Sequence, residues 1–466
     1  MLTQQAADFI QPEAIESTLS QRQHPAASRV RELLAKAREL QGLSLEEVAC
    51  LTFVEDPVLL EEMFAEAKQI KEEIYGSRLV LFAPLYISNR CANECTYCAF
   101  RATNTEVKRR TLTLEEIAEE TRILIRQGHK RALLVSGEAL PPRGFQYIID
   151  AIGTIYDTRV GPGEIRRVNV NLAPQTVEHF RELKAAGIGT FQLFQETYHR
   201  PTYASVHLRG MKRDYDWRAT AFDRAMEAGI DDVGMGVLFG LYDWRFEVLA
   251  MMQHFHHLEE RFGVGPHTIS FPRIEPAVGS DIASRPPYAV SDADFMKLIA
   301  ILRLAVPYTG MIMSTRETAE VRRATFALGI SQISAGSRTD PGGYKDGEGD
   351  PNSSQFQLGD HRSVEEVVTD VVKLGYTPSF CTACYRTGRT GHDFMDLAKP
   401  GEIKYHCQPN ALSTFLEYLC DYAGPQAKNA GEKLISIELN NMDGQQIAST
   451  LPMLNQVRRG ERDVFV

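Results

Sequence analysis

Eight short apolar segments alternate with helical patterns through the middle of the chain, and this alternation limits the possible folds more than any other feature. Three of the helical patterns end in a Gly followed by Ile, at Gly187, Gly229 and Gly329. Such a Gly supplies the left-handed residue that ends a helix, and the Ile begins the next buried strand. The predicted strands are 79–87, 132–136, 167–171, 190–194, 232–237, 267–271, 309–313 and 332–335.

Eight strands that alternate with helices and run parallel predict an α/β fold with a complete (β/α)8 TIM-type barrel over residues 76–340. A doubly wound open sheet is the alternative, but it would not need eight regular units. Residues 1–75 are charged and helical in pattern, so we expect an N-terminal helical extension that braces the barrel. Residues 341–466 predict a mainly helical C-terminal module. The Gly-rich stretch 340–355 that leads into it is typical of a mobile loop or linker.

Three cysteines directly follow the first predicted strand with the spacing CxxxCxxC, at Cys91, Cys95 and Cys98. Three thiolates are one fewer than the four that normally hold an iron–sulfur cube, so one iron would stay open for another ligand. Structural zinc needs four ligands, and no fourth Cys or His lies at a regular spacing near Cys91. Disulfides are disfavoured because the chain shows no secretory leader. The motif therefore predicts an iron–sulfur cluster.

A second cysteine set, Cys381, Cys384 and Cys407, lies far downstream. Its residues also predict a three-cysteine cluster, but zinc remains an alternative because CxxC suits zinc and both His392 and His406 are near. The two remaining cysteines, Cys50 and Cys420, are predicted to be ordinary buried thiols.

Polar residues follow six of the predicted strands at their C-terminal ends, where (β/α)8 barrels place their active sites. One such residue is an ordinary result of turn chemistry, whereas a whole rim of them indicates a site. Besides the first cysteine set, they are Ser136-Gly137-Glu138, Asn169, Asn171, Gln195-Glu196-Thr197, Arg316 and Ser337-Arg338.

Composition and charge limit the kinds of partner that the chain could bind. The chain is 43% hydrophobic and 24% charged, which predicts a globular enzyme, and its motifs suggest a cytoplasmic one. A net charge of −10 argues against a nucleic-acid partner, and no apolar stretch is long enough to cross a membrane.

The chain contains six longer motifs, which are CANECTYCAF, FQETYHRPTY, HTISFPRIEPA, STRE, ISAGSRTDPGGY and CTACYRTGRTGHDFMDLAKPGEIKYHC. Together they resemble the HydG family, the radical S-adenosylmethionine (SAM) tyrosine lyases of [FeFe]-hydrogenase maturation. The barrel motifs alone are also similar to the ThiH-like tyrosine lyases of thiazole synthesis, which lack the second cysteine set. The resemblance implies cleavage of L-tyrosine at Cα–Cβ to p-cresol and dehydroglycine, with the latter converted to carbon monoxide and cyanide on iron.

The resemblance also implies roles for individual residues. The first cysteine set would hold a [4Fe–4S] cluster whose open iron binds SAM, with Tyr97 beside the adenine. The backbone at Glu138 would contact the amino group of SAM, Glu196 its ribose or its amino group, and Arg218 its carboxylate. Plain packing for Tyr97 and a solvated surface charge for Arg218 are the alternatives. Arginine matches a carboxylate with a bidentate fork, so Arg316 is the first candidate to hold the tyrosine carboxylate and Arg338 the second, with Ser337 assisting.

The second cysteine set would hold another [4Fe–4S] cluster, with an additional iron bridged by an exogenous amino acid. His267 is the implied ligand of that iron, or alternatively a structural histidine. We expect both clusters to meet at the strand-end mouth of the barrel, because a packed core closes the other end. An electron donor and other hydrogenase maturation proteins are the implied partners. A ThiH-like lyase with a structural C-terminal metal and a non-catalytic iron–sulfur scaffold remain the alternative functions.

Overall fold

Eight parallel strands close into a barrel in the structure, a computed structural model that describes residues 7–139, 144–347 and 352–466. The strands are β1 (Arg78–Ser88), β2 (Arg131–Ser136), β3 (Arg159–Val160), β4 (Gly163–Glu164), β5 (Arg167–Asn171), β6 (Phe191–Glu196), β7 (Val233–Val237), β8 (Thr268–Ser270), β9 (Gly310–Met313), β10 (Gln332–Ser334) and β11 (Thr377–Ser379). The barrel runs β1-β2-β5-β6-β7-β8-β9-β10, and β10 pairs with β1 to close it. The predicted (β/α)8 fold is confirmed.

The helices between the barrel strands form its outer layer. The helix after β1 begins at a capping box in which Thr113 and Glu116 bond each other's backbone N–H groups. Gly187 and Gly229 have φ values of 77° and 84°, as the Gly-Ile pattern predicts. These helices are α5 (Leu114–Arg126), α6 (Gln146–Asp157), α7 (Val177–Ala185), α8 (Arg200–Val206), α9 (Tyr215–Ala219), α10 (Ala221–Glu227), α11 (Trp244–Phe262), α12 (Asp281–Ser284), α13 (Asp292–Ala305) and α14 (Ala319–Phe326).

The N-terminal extension packs on one side of the barrel. Its helices are α1 (Pro12–Gln21), α2 (Ala27–Ala37), α3 (Leu45–Thr52) and α4 (Pro57–Tyr75). Both α3 and α4 lie against α13, and α1 and α3 contact α11, so apolar faces of the extension join the barrel's core. This arrangement agrees with the predicted brace.

The C-terminal module consists of α15 (Gly343–Asp346), α16 (Val364–Lys373), α17 (Ala383–Arg386), α18 (Gly391–Ala398), α19 (Lys404–Asp421), α20 (Pro425–Asn441) and α21 (Gly444–Arg458). It is joined to the barrel through β11, which pairs in parallel with the first residues of β1, Arg78 opposite Thr377. Since β1 begins at the N-terminal end of the barrel, β11 brings the following cysteines to that end. In the described residues, no helix is long and apolar enough to cross a membrane.

The predicted mobile linker is ordered on both sides of residues 348–351, which lie outside the described residues. Gln355 donates its backbone N–H to the Thr339 carbonyl at 3.0 Å, and Gln357 donates to the Pro276 carbonyl at 2.9 Å. These backbone bonds fasten residues 352–360 across the barrel mouth, so the linker prediction was wrong for residues 352–355. We call residues 352–360 the mouth segment.

Candidate active site and a second cysteine chamber

A cavity of about 190 Å³ opens at the C-terminal ends of the barrel strands. All three cysteines of the first set line it and none forms a disulfide. Its walls combine apolar side chains with a polar group from most strands, which is typical of a binding site. The predicted site residues in its lining are Cys91, Cys95, Cys98, Tyr97, Glu138, Glu196, Arg218, Arg316 and Ser337.

A close approach of two backbones positions the loop that carries the first cysteine set. A Cβ atom on Gly137, just after β2, would lie 2.4 Å from the Arg90 carbonyl oxygen, so only Gly allows this contact. Asn93 ties the loop to the opposite wall by donating to Glu138 at 2.7 Å and accepting from the Lys212 backbone N–H at 3.0 Å. The loop is thus fixed at the mouth by polar contacts as well as by packing.

The three thiols remain protonated until a metal displaces their protons. Burial, together with the neighbouring charge of Cys91, raises the pKa of Cys98 to about 11. Burial also raises the pKa of Cys91 and Cys95 above the ordinary value. Cluster binding would therefore release protons, as is usual for thiolate ligands.

Two carboxylates and two positively charged side chains alternate along one wall of the cavity. Arg218 donates to Glu138 at 3.0 Å, and Lys212 donates to Glu196 at 2.6 Å. Burial opposes ionisation of Glu138, but the Arg218 and Lys212 charges outweigh it and hold its pKa below the ordinary value. Arg218 is buried, so the surface-charge alternative for it is wrong. Lys212 carries no sequence signal, because it lies in a single 3-10 turn, Met211–Arg213, outside every predicted motif.

Glu196 has a φ of 72°, which is rare for a residue with a side chain. It sits at a β-bulge between β6 and β7 that aims its carboxylate at Lys212. Strained backbone of this kind concentrates at functional sites.

Tyr97 is buried in the cavity wall, and its hydroxyl bonds the His207 Nε2 at 2.8 Å. The ring is thereby held in place while one side faces the cavity. This position is compatible with both the adenine contact and plain packing.

Arg316 and Ser337 bring two uncompensated polar groups into the same cavity. In the part of the chain that the structure describes, no carboxylate pairs with the Arg316 guanidinium, which instead stacks on Phe356 of the mouth segment. Burial lowers the pKa of Arg316. The Ser337 side chain is buried, and its Oγ has no hydrogen-bond partner among the described residues. A buried hydroxyl such as that of Ser337 normally has a partner, and the half-buried Arg316 guanidinium faces the same cavity, so both groups are open to a ligand.

Arg338 lies outside the cavity. Its guanidinium donates to the carbonyls of Gly347 at 2.9 Å and of Ser337 at 3.0 Å. The second candidate for the tyrosine carboxylate is therefore turned away, because neighbouring residues at a strand end point in opposite directions.

Glu275 is a cavity residue that the sequence analysis missed. Burial and the nearby Glu317 raise its pKa to about 7, although Arg316 and Arg273 act in the opposite direction. Glu317 itself is paired with Arg273, whose Nε donates to it at 3.0 Å. Glu275 lies in the motif HTISFPRIEPA, and its place shortly after the C-terminal end of β8 was the signal that could have found it.

Other predicted rim residues do not reach the cavity. Gln195 points away from it because β6 alternates, with Gln192, Phe194 and Glu196 facing inward. The Thr197 hydroxyl bonds Glu247 outside the barrel. Asn169 faces inward but lies deeper, where it accepts from Arg167, whereas Asn171 and Ser136 line the cavity.

The second cysteine set lies at the opposite, N-terminal end of the barrel. Cys381, Cys384 and Cys407 line a small chamber of about 50 Å³ together with the first residues of several strands, Arg78 and Arg131 among them. Arg131 donates to the Cys381 carbonyl at 2.8 Å. The expectation that both clusters meet at the strand-end mouth was wrong, because β11 carries this set to the bottom of the barrel.

The chamber has the charge that an anionic cluster requires. Arg78 and Arg131 line it, and Arg167 lies on the ring of Tyr385, another lining residue. Each of the three has a buried nitrogen without a hydrogen-bond partner among the described residues. A hydrogen bond from Cys407, together with nearby arginine charges, lowers the pKa of Cys384 below the ordinary value even though burial opposes this. The thiol set and its cationic surround therefore fit an iron–sulfur cluster.

His267 precedes β8 and lines the same chamber. Its ring packs edge-on against Phe394 at a centroid distance of 4.7 Å, and burial lowers its pKa, so the imidazole is neutral and able to bind a metal. The histidines of the zinc alternative are engaged elsewhere. His406 bonds Arg389 at 2.7 Å and His392 bonds the Phe262 carbonyl at 3.2 Å. Outside the two sets, Cys50 is buried as predicted, whereas Cys420 is exposed because it lies near the end of α19.

Comparison with known proteins agrees with this arrangement. Residues 85–252 match the Radical SAM superfamily, and residues 270–377 match the Biotin and Thiamin Synthesis associated domain. The 2-iminoacetate synthase of Escherichia coli K12 is 33% identical over 68% of this chain and 82% of its own length. That of Salmonella typhimurium is 32% identical over 74% of this chain and 88% of its own.

Two solved structures match nearly the whole chain. A HydG structure, described as a maturase of the [FeFe]-hydrogenase, is 50% identical with a TM-score of 0.95 and covers 99% of this chain and 100% of its own. HydG from Carboxydothermus hydrogenoformans is 38% identical with a TM-score of 0.84, and the match covers 96% of this chain and 98% of its own.

Proposed function

Because the chain belongs to the HydG family of radical SAM enzymes, we propose that it is a tyrosine lyase of [FeFe]-hydrogenase maturation. It cleaves L-tyrosine between Cα and Cβ, which gives p-cresol and dehydroglycine. The dehydroglycine is converted to carbon monoxide and cyanide on iron, as a building block for the hydrogenase active site.

The first cysteine set suits the cofactors of this family. A [4Fe–4S] cluster held by Cys91, Cys95 and Cys98 would bind SAM at its open iron and supply the electron that cleaves SAM to a 5′-deoxyadenosyl radical. Around it, Glu138 and Glu196 offer acceptors to amino and hydroxyl groups, while Arg218 and Lys212 offer donors to a carboxylate. The apolar walls keep water from a reactive radical.

The observation that carries the proposal is the pair of unpartnered groups, Arg316 and Ser337, in the cavity that holds the first cysteine set. A guanidinium that has no ion-pair partner among the described residues can bind an amino-acid carboxylate through two hydrogen bonds, and the Ser337 hydroxyl can add a third. Substrate and radical source would then share one closed space. A non-catalytic scaffold has no need for such a pair.

We assign the second cysteine set a [4Fe–4S] cluster that receives the small fragment, with an extra iron bridged by an exogenous amino acid and bound by His267. The unpartnered arginine nitrogens of the chamber suit the anionic groups of such an assembly. A ThiH-like lyase is the second candidate, since the 2-iminoacetate synthases are also similar. The likeness to HydG extends over the whole chain, and that to the synthases over 68–74% of it.

Product analysis after anaerobic reconstitution tests the proposal. The protein is incubated with SAM, dithionite and tyrosine, and p-cresol, 5′-deoxyadenosine and carbon monoxide are quantified. Cys95→Ala should abolish all three, while Cys420→Ala, at an exposed cysteine outside both sets, should change none of them. Formation of p-cresol without carbon monoxide by a protein shown to hold both clusters would favour the ThiH-like function.

A further inference from the structure

An exposed loop lies directly beside the first cysteine set, on the outer side of the barrel mouth. Leu208 is 53% exposed and Met211 is 66% exposed, which is unusual for large apolar side chains. The loop is hydrogen-bonded to the cysteine loop: Leu208 donates its N–H to the Glu94 carbonyl at 2.9 Å, and Glu94 donates to the Arg209 carbonyl at 3.0 Å. Its apolar side chains are therefore held in solvent by a fixed backbone.

Positive charge lies beside these two side chains. Arg209 and Arg213 are exposed on the same loop. We call Leu208, Arg209, Met211 and Arg213 the loop patch. Among the described residues, no carboxylate pairs with either of its two arginines.

The nearest carboxylates of the two loops have partners of their own. Glu94 pairs with Arg101 at 3.4 Å and accepts from the Thr103 hydroxyl at 2.6 Å. Asp214 accepts the Trp217 N–H at 2.9 Å. The loop patch is thus a basic surface with an apolar centre on a chain whose net charge is −10.

The loop patch is also close to the ligands of the first cluster. Cys95, a proposed cluster ligand, forms a β-bridge with His207. Leu208 of the loop patch is the next residue in the chain after His207. Gly210 packs on the cysteine loop so closely that a Cβ atom there would lie 2.8 Å from the Asn93 Cα. An electron that enters at the loop patch would have only this thin layer of backbone to cross.

We propose that the loop patch is the docking surface of a small acidic protein that carries one electron to the first cluster. The inference rests on the proposed function, in which each SAM that is cleaved consumes one electron. The carrier is oxidised by one equivalent and the C5′–S bond of SAM breaks. Methionine leaves with the sulfur lone pair, and the 5′-deoxyadenosyl fragment keeps the unpaired electron. An apolar centre with a charged rim is the usual anatomy of a specific transient interface, and a basic rim selects an acidic partner.

A comparison of two reductants separates docking from catalysis. The holoenzyme is assayed for 5′-deoxyadenosine with dithionite, which needs no docking surface, and with a reduced acidic ferredoxin as the protein carrier. Binding of the oxidised ferredoxin is measured in parallel by biolayer interferometry at several salt concentrations. We expect Arg209→Glu/Arg213→Glu to weaken binding and slow the ferredoxin-driven rate by about tenfold or more, with a weaker salt dependence. The dithionite-driven rate should stay unchanged.

Matched variants complete the test. Arg22→Glu/Arg459→Glu makes the same change in net charge at exposed arginines elsewhere and should leave binding intact. Arg209→Lys/Arg213→Lys keeps the charge and should retain binding. Equal losses in the two reversed pairs would show an effect of net charge alone and overturn the proposal. A parallel fall in the dithionite-driven rate, or a change in oligomeric state, would assign the loop to cluster integrity or to self-association instead. Failure of the unaltered protein with dithionite would count against the proposed function itself.

Discussion

The guanidinium carbon of Arg316 lies 3.3 Å from the centroid of the Phe356 ring. Phe356 belongs to the mouth segment, which the chain reaches only after completing the barrel. Gly359 donates its backbone N–H to the Thr315 carbonyl at 3.0 Å, so the segment is fastened beside the residue that it covers. The cavity's unpaired cation is therefore held by a π-face, which orients it while leaving its N–H groups available for a ligand.

Removing this ring should loosen the substrate site. Phe356→Ala takes away a cation–π contact worth about 0.5–2 kcal/mol, so we expect tyrosine to bind about twofold to thirtyfold more weakly. Phe356→Tyr keeps the π-face and should bind tyrosine nearly normally. Isothermal titration of tyrosine into the SAM-bound protein gives both affinities. Equal losses in the two variants would show that packing, and not the π-face, supports Arg316.

Replacing Arg316 itself should have a larger effect. Loss of a guanidinium that holds a carboxylate inside a cavity costs about 2–5 kcal/mol of binding, so Arg316→Ala should bind tyrosine poorly but still cleave SAM slowly without it. Arg338→Ala should bind tyrosine normally, because Arg338 is bonded to carbonyls outside the cavity. Tyrosine affinity and 5′-deoxyadenosine formation are measured for both. Unchanged affinity in Arg316→Ala with a loss in Arg338→Ala would reverse the assignment.

The barrel could be predicted because each of its strands and helices has a signal in its own segment of the sequence. The predicted strand 167–171 coincides with β5, and the left-handed Gly of the Gly-Ile pattern is present at Gly187 and Gly229, whereas Gly329 has a φ of 145° and departs from the pattern. The directions of individual side chains at the rim were harder to predict, because they depend on strand alternation and on bulges. The tripeptide Gln195-Glu196-Thr197 was treated as one unit, yet only Glu196 enters the cavity. Phe356 was missed because the surrounding Gly, Asn and Ser residues indicate a loop, and only the tertiary contacts fasten it.

Glu275 should make tyrosine binding depend on pH. Its pKa of about 7 means that the carboxyl is neutral below that pH and charged above it. When charged, it shares the Arg316 guanidinium with the substrate carboxylate and repels that carboxylate. We therefore expect tyrosine affinity to fall by about tenfold between about pH 6 and about pH 8.5, which corresponds to one pKa unit of coupling. Glu275→Gln should remove the dependence. Affinity that rises with pH would instead place Glu275 against the substrate ammonium group.

Gly137 should be required for cluster assembly. Gly137→Ala would place a Cβ atom 2.4 Å from the Arg90 carbonyl oxygen, so the cysteine loop would have to move away from β2. We expect less iron bound at the first cysteine set and loss of SAM cleavage. Gly153→Ala, inside α6 with no atom within 4 Å of the new Cβ, is the control and should stabilise the protein by about 0.5–1 kcal/mol. Normal iron content in Gly137→Ala would show that the loop tolerates the shift.

The location of the second cysteine set could not be predicted, for a physical reason. The rule that sites occupy the C-terminal ends of barrel strands applies to residues that follow those strands, whereas Cys381 and Cys384 follow β11, which pairs with the beginning of β1. A strand of three residues with one proline carries little local signal. His267 was the hint, since it precedes β8 and therefore lies at the bottom of the barrel.

The separation of the two cysteine sets divides the chemistry between the ends of the barrel. In the proposed function, cleavage of tyrosine at Cα–Cβ needs only the radical source and the substrate, whose candidate ligands lie at the mouth. Handling of the small fragment would need an iron bound in the bottom chamber, where the second cysteine set lies. We therefore expect Cys384→Ala to keep forming p-cresol while losing carbon monoxide on iron and one paramagnetic cluster signal. Cys95→Ala should lose the other signal and all SAM cleavage. His267→Ala should resemble Cys384→Ala in milder form, because the three cysteines remain. Electron paramagnetic resonance, p-cresol and carbon monoxide yields are measured on the same samples. A normal carbon monoxide yield from a Cys384→Ala protein without the second signal would contradict this division and return the ThiH-like function to first place.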